Sequence, residues 1–144
     1  MFGPHLMLEL YGSDKKIISN IEKIREFLNN LPDVIGMHKI SEPMILEYAG
    51  KEGSFDKGGI SAFVIIAESH ISIHTFIAQQ YATIDIFSCK PFDFNQAQAW
   101  IKDFFKPSYM EAKIEWRGKE FSKEPKAVVP LIKSQRKALK KIKQ

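Results

Sequence analysis

The sequence predicts an α+β fold: a two-layer sandwich, with an antiparallel sheet carrying two helices on one face. Three observations predict it. Several segments alternate apolar and polar residues with the period of a half-buried strand. Two others repeat apolar residues at three- and four-residue steps. The elements then fall in the order β-α-β-β-β-β-β-α-β, without the regular βαβ alternation of a parallel sheet.

Each element follows from its residues. Pro4–Tyr11 sets His5, Met7, Glu9 and Tyr11 against Leu6, Leu8 and Leu10, a first strand. Gly12 breaks it, and Ser13 or Asp14 can cap a helix. Ile17, Ile18, Ile21, Ile24, Leu28 and Leu31 form that helix's apolar stripe, and Pro32 is expected to end it. Val34–Ile40 and Met44–Tyr48 are short strand candidates, followed by a loop over Ala49–Gly59. Ile60–Ala67 is unbroken apolar except for Ser61, and reads as a strand buried on both faces or nearly so. Ser69–Phe76 and Tyr81–Cys89 alternate, joined by Ile77–Gln80. Asp93 or Asn95 can cap a second helix, with Ala97, Trp100, Ile101 and Phe104 inward and Pro107 as its stop. Tyr109–Arg117 is the last strand, with Met110, Ala112, Ile114 and Trp116 on one face.

A chain of 144 residues, 44% of them hydrophobic, suits one domain with a sizeable core. The apolar run at 62–67 is too short to cross a bilayer, and Met1–His5 has no features of a signal peptide. One cysteine cannot form an internal disulfide, which fits a reducing cytoplasm. The net charge of +4 is unevenly spread. Residues 122–144 hold eight basic residues against Glu124 alone, a tail of +7 on a body of −3. The expected units are a domain over 1–121 and this basic tail. The tail has no aromatic residue to stack on a base, so a solvated, partly helical terminus is expected rather than contact with nucleic acid.

The chemistry concentrates after the glycine pair Gly58-Gly59. Ser61, Glu68-Ser69-His70 and His74 fall within fourteen residues, and the next strand ends on Cys89. A Ser or His on an amphipathic strand ordinarily does no more than hydrogen-bond, and a lone Cys is commonly a small core residue. An acid, hydroxyls, imidazoles and a thiol on two neighbouring strands are better suited to a reaction centre. Strand geometry qualifies this. Ser69 and His74 differ by five, so on one straight strand they face opposite sides and lie roughly 16 Å apart. A tight turn at Ala67–Glu68 would pair Ser61 with His74. Pairing Phe76 with Tyr81 would set Ser69 opposite Ser88, next to Cys89.

The series Ile60-Ser61, Glu68-Ser69-His70, Ile73-His74-Thr75 and Ile84-Asp85-Ile86-Phe87-Ser88-Cys89 resembles the bacterial and archaeal S-adenosylmethionine decarboxylases. The likeness runs from Gly3-Pro4-His5-Leu6 to about Phe121. It implies self-cleavage between Glu68 and Ser69, giving a β chain 1–68 and an α chain 69–144. The Ser69 hydroxyl would attack the preceding carbonyl to form an ester, and β-elimination with loss of ammonia would leave a covalent pyruvoyl group. That group would form a Schiff base with the substrate amine and act as electron sink. By the same resemblance His74 accepts a proton in processing, an imidazole being suited near neutral pH. Ser61 assists. Cys89 donates the proton to the product carbanion, since a free thiol, of pKa about 8.5, is mostly protonated at neutral pH. Phe55 is a candidate to stack on adenine. His5 and His70 match the pattern without a catalytic role. No metal is implied. A homodimer with αββα layering is implied, acting in the cytoplasm to supply the aminopropyl donor for spermidine.

One departure bears on substrate. After the Ile-His-Thr triplet the family carries an aromatic, Pro and a ribose-binding Glu, whereas this chain has Phe76-Ile77-Ala78. Decarboxylation of ornithine or arginine by the same pyruvoyl chemistry is therefore the alternative expectation. A non-catalytic partner subunit is a remoter one.

Overall fold

The computed structural model describes residues 3–121 and 123–142, with side chains described through residue 135. The expected boundary at Ser122 and the side chains of Arg136, Lys137, Lys140, Lys141 and Lys143 lie outside the described residues. Among these residues six strands form one antiparallel sheet. In chain order they are β1 (Gly3–Tyr11), β2 (Met44–Tyr48), β3 (Gly59–Ile66), β4 (Ser69–Phe76), β5 (Tyr81–Ser88) and β6 (Tyr109–Arg117). Their order in the sheet is β2-β3-β4-β5-β1-β6. The helices are α1 (Lys15–Ile18), α2 (Ile21–Val34), α3 (Phe94–Phe105) and α4 (Pro125–Ile142).

The core lies between the sheet and the α2–α3 pair. Leu6, Leu8 and Leu10 of β1, Val64 of β3, Ile71 and Ile73 of β4, and Ile84 and Ile86 of β5 are fully buried. Phe27 of α2 stacks on Trp100 at 6.0 Å and meets Phe105 edge-on at 4.9 Å, which locks the two helices side by side. Asp93 caps α3 by accepting the Gln96 N–H at 2.9 Å.

Four details differ from the sequence expectation. The first helix is two helices. Asp14 caps α1, and Asn20 then accepts the N–H groups of Glu22 and Lys23, restarting the chain as α2. Pro32 does not end α2 but sits in its last turn. It gives up only the bond to the Leu28 carbonyl. Termination falls to Gly36, at φ 68°, with Met37 N–H bonding to the Pro32 carbonyl at 2.8 Å and Gly36 N–H to Asp33 at 3.2 Å. That closure removes the strand expected at Val34–Ile40. Val34 is helical, and only Lys39 bridges to Ile66. Finally, β3 is buried on one face alone: Phe63 is 38% exposed and Ile65 37%. The helices cover one side of the sheet, and nothing among the described residues covers the other.

That open face places the site. It carries Ser61, Phe63 and Ile65 of β3, and His70, Ser72, His74 and Phe76 of β4. Met44, Leu46 and Tyr48 of β2 lie opposite Phe63, Ser61 and Gly59, so they extend the exposed apolar strip across the same face. Gly59 is required where β3 meets β4. A Cβ there would lie 1.6 Å from the Thr75 carbonyl oxygen.

Candidate active site

β3 and β4 are joined by the two residues Ala67 and Glu68, with Ile66 paired to Ser69. Tight hairpins favour positive φ within the loop. Here neither loop residue adopts it, and the positive φ falls on Ser69, at 142°. An L-residue held there costs of order 1–3 kcal/mol. The expected cleavage bond is thus the one leading into a strained residue.

Glu68 is held from several directions. The residue is only 7% exposed. One carboxylate oxygen, Oε2, accepts the His38 backbone N–H at 3.0 Å, and Oε1 lies 2.7 Å from His38 Nδ1. Lys90 Nζ is 3.6 Å from Oε1. The Glu68 backbone carbonyl accepts the Cys89 N–H at 2.7 Å. This donor is fixed where negative charge would grow if Ser69 attacked that carbonyl, the arrangement of an oxyanion hole.

Burial alone would raise the Glu68 carboxyl. The His38 side-chain and backbone hydrogen bonds outweigh it and lower the pKa to about 2, from 4.5. A depressed folded-state value stabilises above the unfolded value, and that contribution is lost as pH falls towards 2. In the uncut Ser69→Ala background, Glu68→Gln is expected to lower the melting temperature at pH 7. The gap to the parent should close as pH falls from about 4.5 to about 2. Thermal unfolding across that range checks it, and a gap independent of pH would mean that the carboxylate charge contributes nothing.

The expected residues fall into two groups. Ser69 pairs with Ser88, and Cys89, which follows Ser88, is exposed with its backbone on Glu68. Glu68, Ser69 and Cys89 therefore share one end of β4. Ser61 and His74 are paired in register on the open face, Oγ to Nδ1 at 2.9 Å. They line a cavity of about 170 Å³ with Tyr48, Asp56 and Phe76, towards the other end of β4. Ser69 and His74 lie five residues apart along one strand, near its two ends, so a single chain does not bring them together. Phe55 is 82% exposed and also at the far end, where the Gln79 side-chain amide donates to its carbonyl at 2.7 Å. It lines an apolar cavity of about 350 Å³ with Tyr11, Phe76 and Tyr81.

His5 bonds to Asp85 at 2.7 Å, and His70 packs on Phe87 at 5.8 Å between ring centroids. Burial lowers the His70 pKa, with His5 and Arg117 adding to the effect. Both are accounted for by contacts within the open face. Sequence reasoning missed His38 and Lys90. His38 is thirty residues from Glu68, in the segment misread as strand, and no local spacing signals it.

The sequence profile of a family described as S-adenosylmethionine decarboxylase matches residues 4–118. The chain is 32% identical over 117 residues to the S-adenosylmethionine decarboxylase proenzyme of Hydrogenobaculum sp., covering 81% of each. It is 33% identical over 87 residues to the arginine decarboxylase proenzyme of Caldivirga maquilingensis, 60% of this chain, and spans only 61% of that relative's length. Among solved structures it is similar to the adenosylmethionine decarboxylase from Aquifex aeolicus, with TM-score 0.66 and 29% identity, over 81% of this chain and 91% of the other.

Proposed function

This chain belongs to the S-adenosylmethionine decarboxylase family, and from that premise we propose that it is a self-cleaving proenzyme that decarboxylates S-adenosylmethionine. The observation that carries the reading is the Glu68–Ser69 bond: a strained Ser69 follows a carbonyl already hydrogen-bonded by the Cys89 N–H. Cleavage there yields the β chain 1–68 and the α chain 69–144. The Ser69 hydroxyl attacks the Glu68 carbonyl carbon, and the Cys89 N–H stabilises the charge on its oxygen. His38 and Lys90 hold the Glu68 side chain, and the Cys89 N–H holds its carbonyl. The residues present fit the precursor of a pyruvoyl group, since the hydroxyl, the strained linkage and the carbonyl donor are all in place. Once formed from Ser69, that group supplies an electron sink for loss of carbon dioxide. Cys89 then stands beside it with an exposed thiol to donate a proton.

The reading includes a homodimer. The open face carries a continuous apolar strip, Met44, Leu46, Tyr48, Phe63 and Ile65, of the kind that marks an interface. A second copy stacked there in antiparallel sense gives the αββα layering and brings its own Ser61–His74 pair to the first copy's Ser69. His74 then takes up a proton in processing, with Ser61 orienting the imidazole, and Phe55 serves the partner's site. No helix among the described residues is long and apolar enough to cross a membrane. We place the enzyme in the cytoplasm, supplying decarboxylated S-adenosylmethionine for spermidine.

A second reading keeps the chemistry and changes the substrate. Ala78 stands where a ribose-binding Glu is expected, and a similar protein is named arginine decarboxylase proenzyme. The test is carbon dioxide release by fully cleaved protein from S-adenosylmethionine, ornithine and arginine. S-Adenosylmethionine is expected to show the largest kcat/KM. A far larger value with ornithine or arginine would transfer the assignment to the second reading, and release from none would end both.

A further inference from the structure

The cavity beside the Ser61–His74 pair contains a carboxylate that the proposed chemistry does not use. Asp56 is half-buried in the loop before β3. Its Oδ1 accepts the Gly58 N–H at 2.9 Å, and its carbonyl accepts the Lys51 N–H at 3.3 Å, so the residue is anchored at the cavity wall. Among the described residues it is the one acidic group lining this cavity, and Tyr48 and Phe76 are its aromatic neighbours. Phe76 also lines the adjoining apolar cavity with Tyr11, Phe55 and Tyr81. One carboxylate among aromatic rings suits an organic cation. Ring faces attract positive charge, and the carboxylate supplies the counter-charge. An anionic ligand would meet repulsion at Asp56, and a purely apolar one would strip water from it without return.

We propose that Asp56 is a specificity-determining residue of the decarboxylase site, pairing with the positive charge that an amino-acid substrate carries on its side chain. This rests on the decarboxylase reading above. The three candidate substrates share that chemistry in different forms: a sulfonium in S-adenosylmethionine, an ammonium in ornithine and a guanidinium in arginine. Ammonium and guanidinium donate hydrogen bonds to a carboxylate, whereas a sulfonium has no proton to donate and attracts it by charge alone. The size of the Asp56 effect therefore identifies the cation. Hydrogen-bonded charge pairs correspond to roughly 10- to 150-fold in affinity, and unbonded ones to a few-fold.

The experiment uses two pairs of full-length chains. Cleaved wild-type and cleaved Asp56→Asn protein are assayed for KM with each substrate, intact mass first establishing that both are cut. Ser69→Ala chains with and without Asp56→Asn are titrated calorimetrically with S-adenosylmethionine, ornithine and arginine. The expected result is a rise in KM and a matching loss of binding, at least tenfold for an ammonium or guanidinium substrate and about threefold for the sulfonium, with recovery in Asp56→Glu. Turnover with KM and binding unmoved overturns the role of Asp56 and leaves the decarboxylase reading standing. Binding that depends on Asp56, in a protein that turns over none of the three, keeps Asp56 as a cation site and overturns the decarboxylase reading. Absence of binding and of turnover overturns both.

Discussion

Purified wild-type protein is expected to separate into a 68-residue and a 76-residue piece, with the new N-terminus blocked, while Ser69→Ala stays whole at 16.5 kDa. The effect is all or none because the attacking atom is removed. The geometry supplies the reason that this bond, and no neighbour, should break. The two-residue connection between β3 and β4 puts its backbone strain on Ser69, and the Cys89 N–H lies on the Glu68 carbonyl at 2.7 Å. Both features act before any substrate binds. Intact-mass measurement checks it, and wild-type protein that remains one chain after long incubation would refute the mechanism. His74 tests the assembly in the same experiment. Alone, His74→Ala should cleave slowly, by about 10²–10⁴-fold. Mixed with Ser69→Ala, it should regain cleavage, because the second copy returns the missing imidazole to its Ser69. Rescue absent from a mixture that forms dimers would place His74 in its own chain's reaction.

Cys89→Ala is expected to divide two activities. The backbone N–H that faces the Glu68 carbonyl survives the substitution, so the chain should still cut itself to a substantial extent. The thiol does not survive, and turnover should fall by about 10²–10⁴-fold, the usual range for a positioned proton donor. Mass spectrometry reads the first quantity and carbon dioxide release the second, on the same preparation. Near-normal turnover would make Cys89 a residue that matters through its backbone alone.

Much of this site was legible in sequence because it lies on one hairpin and the strand beside it. With Ala67–Glu68 as the turn, counting alone pairs Ser61 with His74, and with Phe76 against Tyr81 it pairs Ser69 with Ser88. Both pairings are present. Counting also separates Ser69 from His74, because successive residues alternate faces at a fixed rise. The errors cluster where side chains compete with periodicity. Asn20 interrupts an unbroken apolar stripe by accepting two backbone N–H groups, and Gly36 closes a helix that Pro32 was expected to stop.

The strand alternation, the family resemblance and the positions of Ser61, Glu68, Ser69, His74 and Cys89 could all be read from residue order, since each depends on spacing along a regular element. What meets Glu68 and what remains uncovered depends instead on contacts between segments far apart in the chain. His38 and Lys90 reach its carboxylate from distant segments, and the Cys89 N–H reaches its carbonyl because β5 runs past the end of the hairpin. Phe63 and Ile65 read as core in a sequence, yet they are exposed, because hydrophobicity says that a side chain seeks cover and not which layer provides it. Asp56 enters the Ser61–His74 cavity through a loop without periodicity, so its place was set by the folded chain alone.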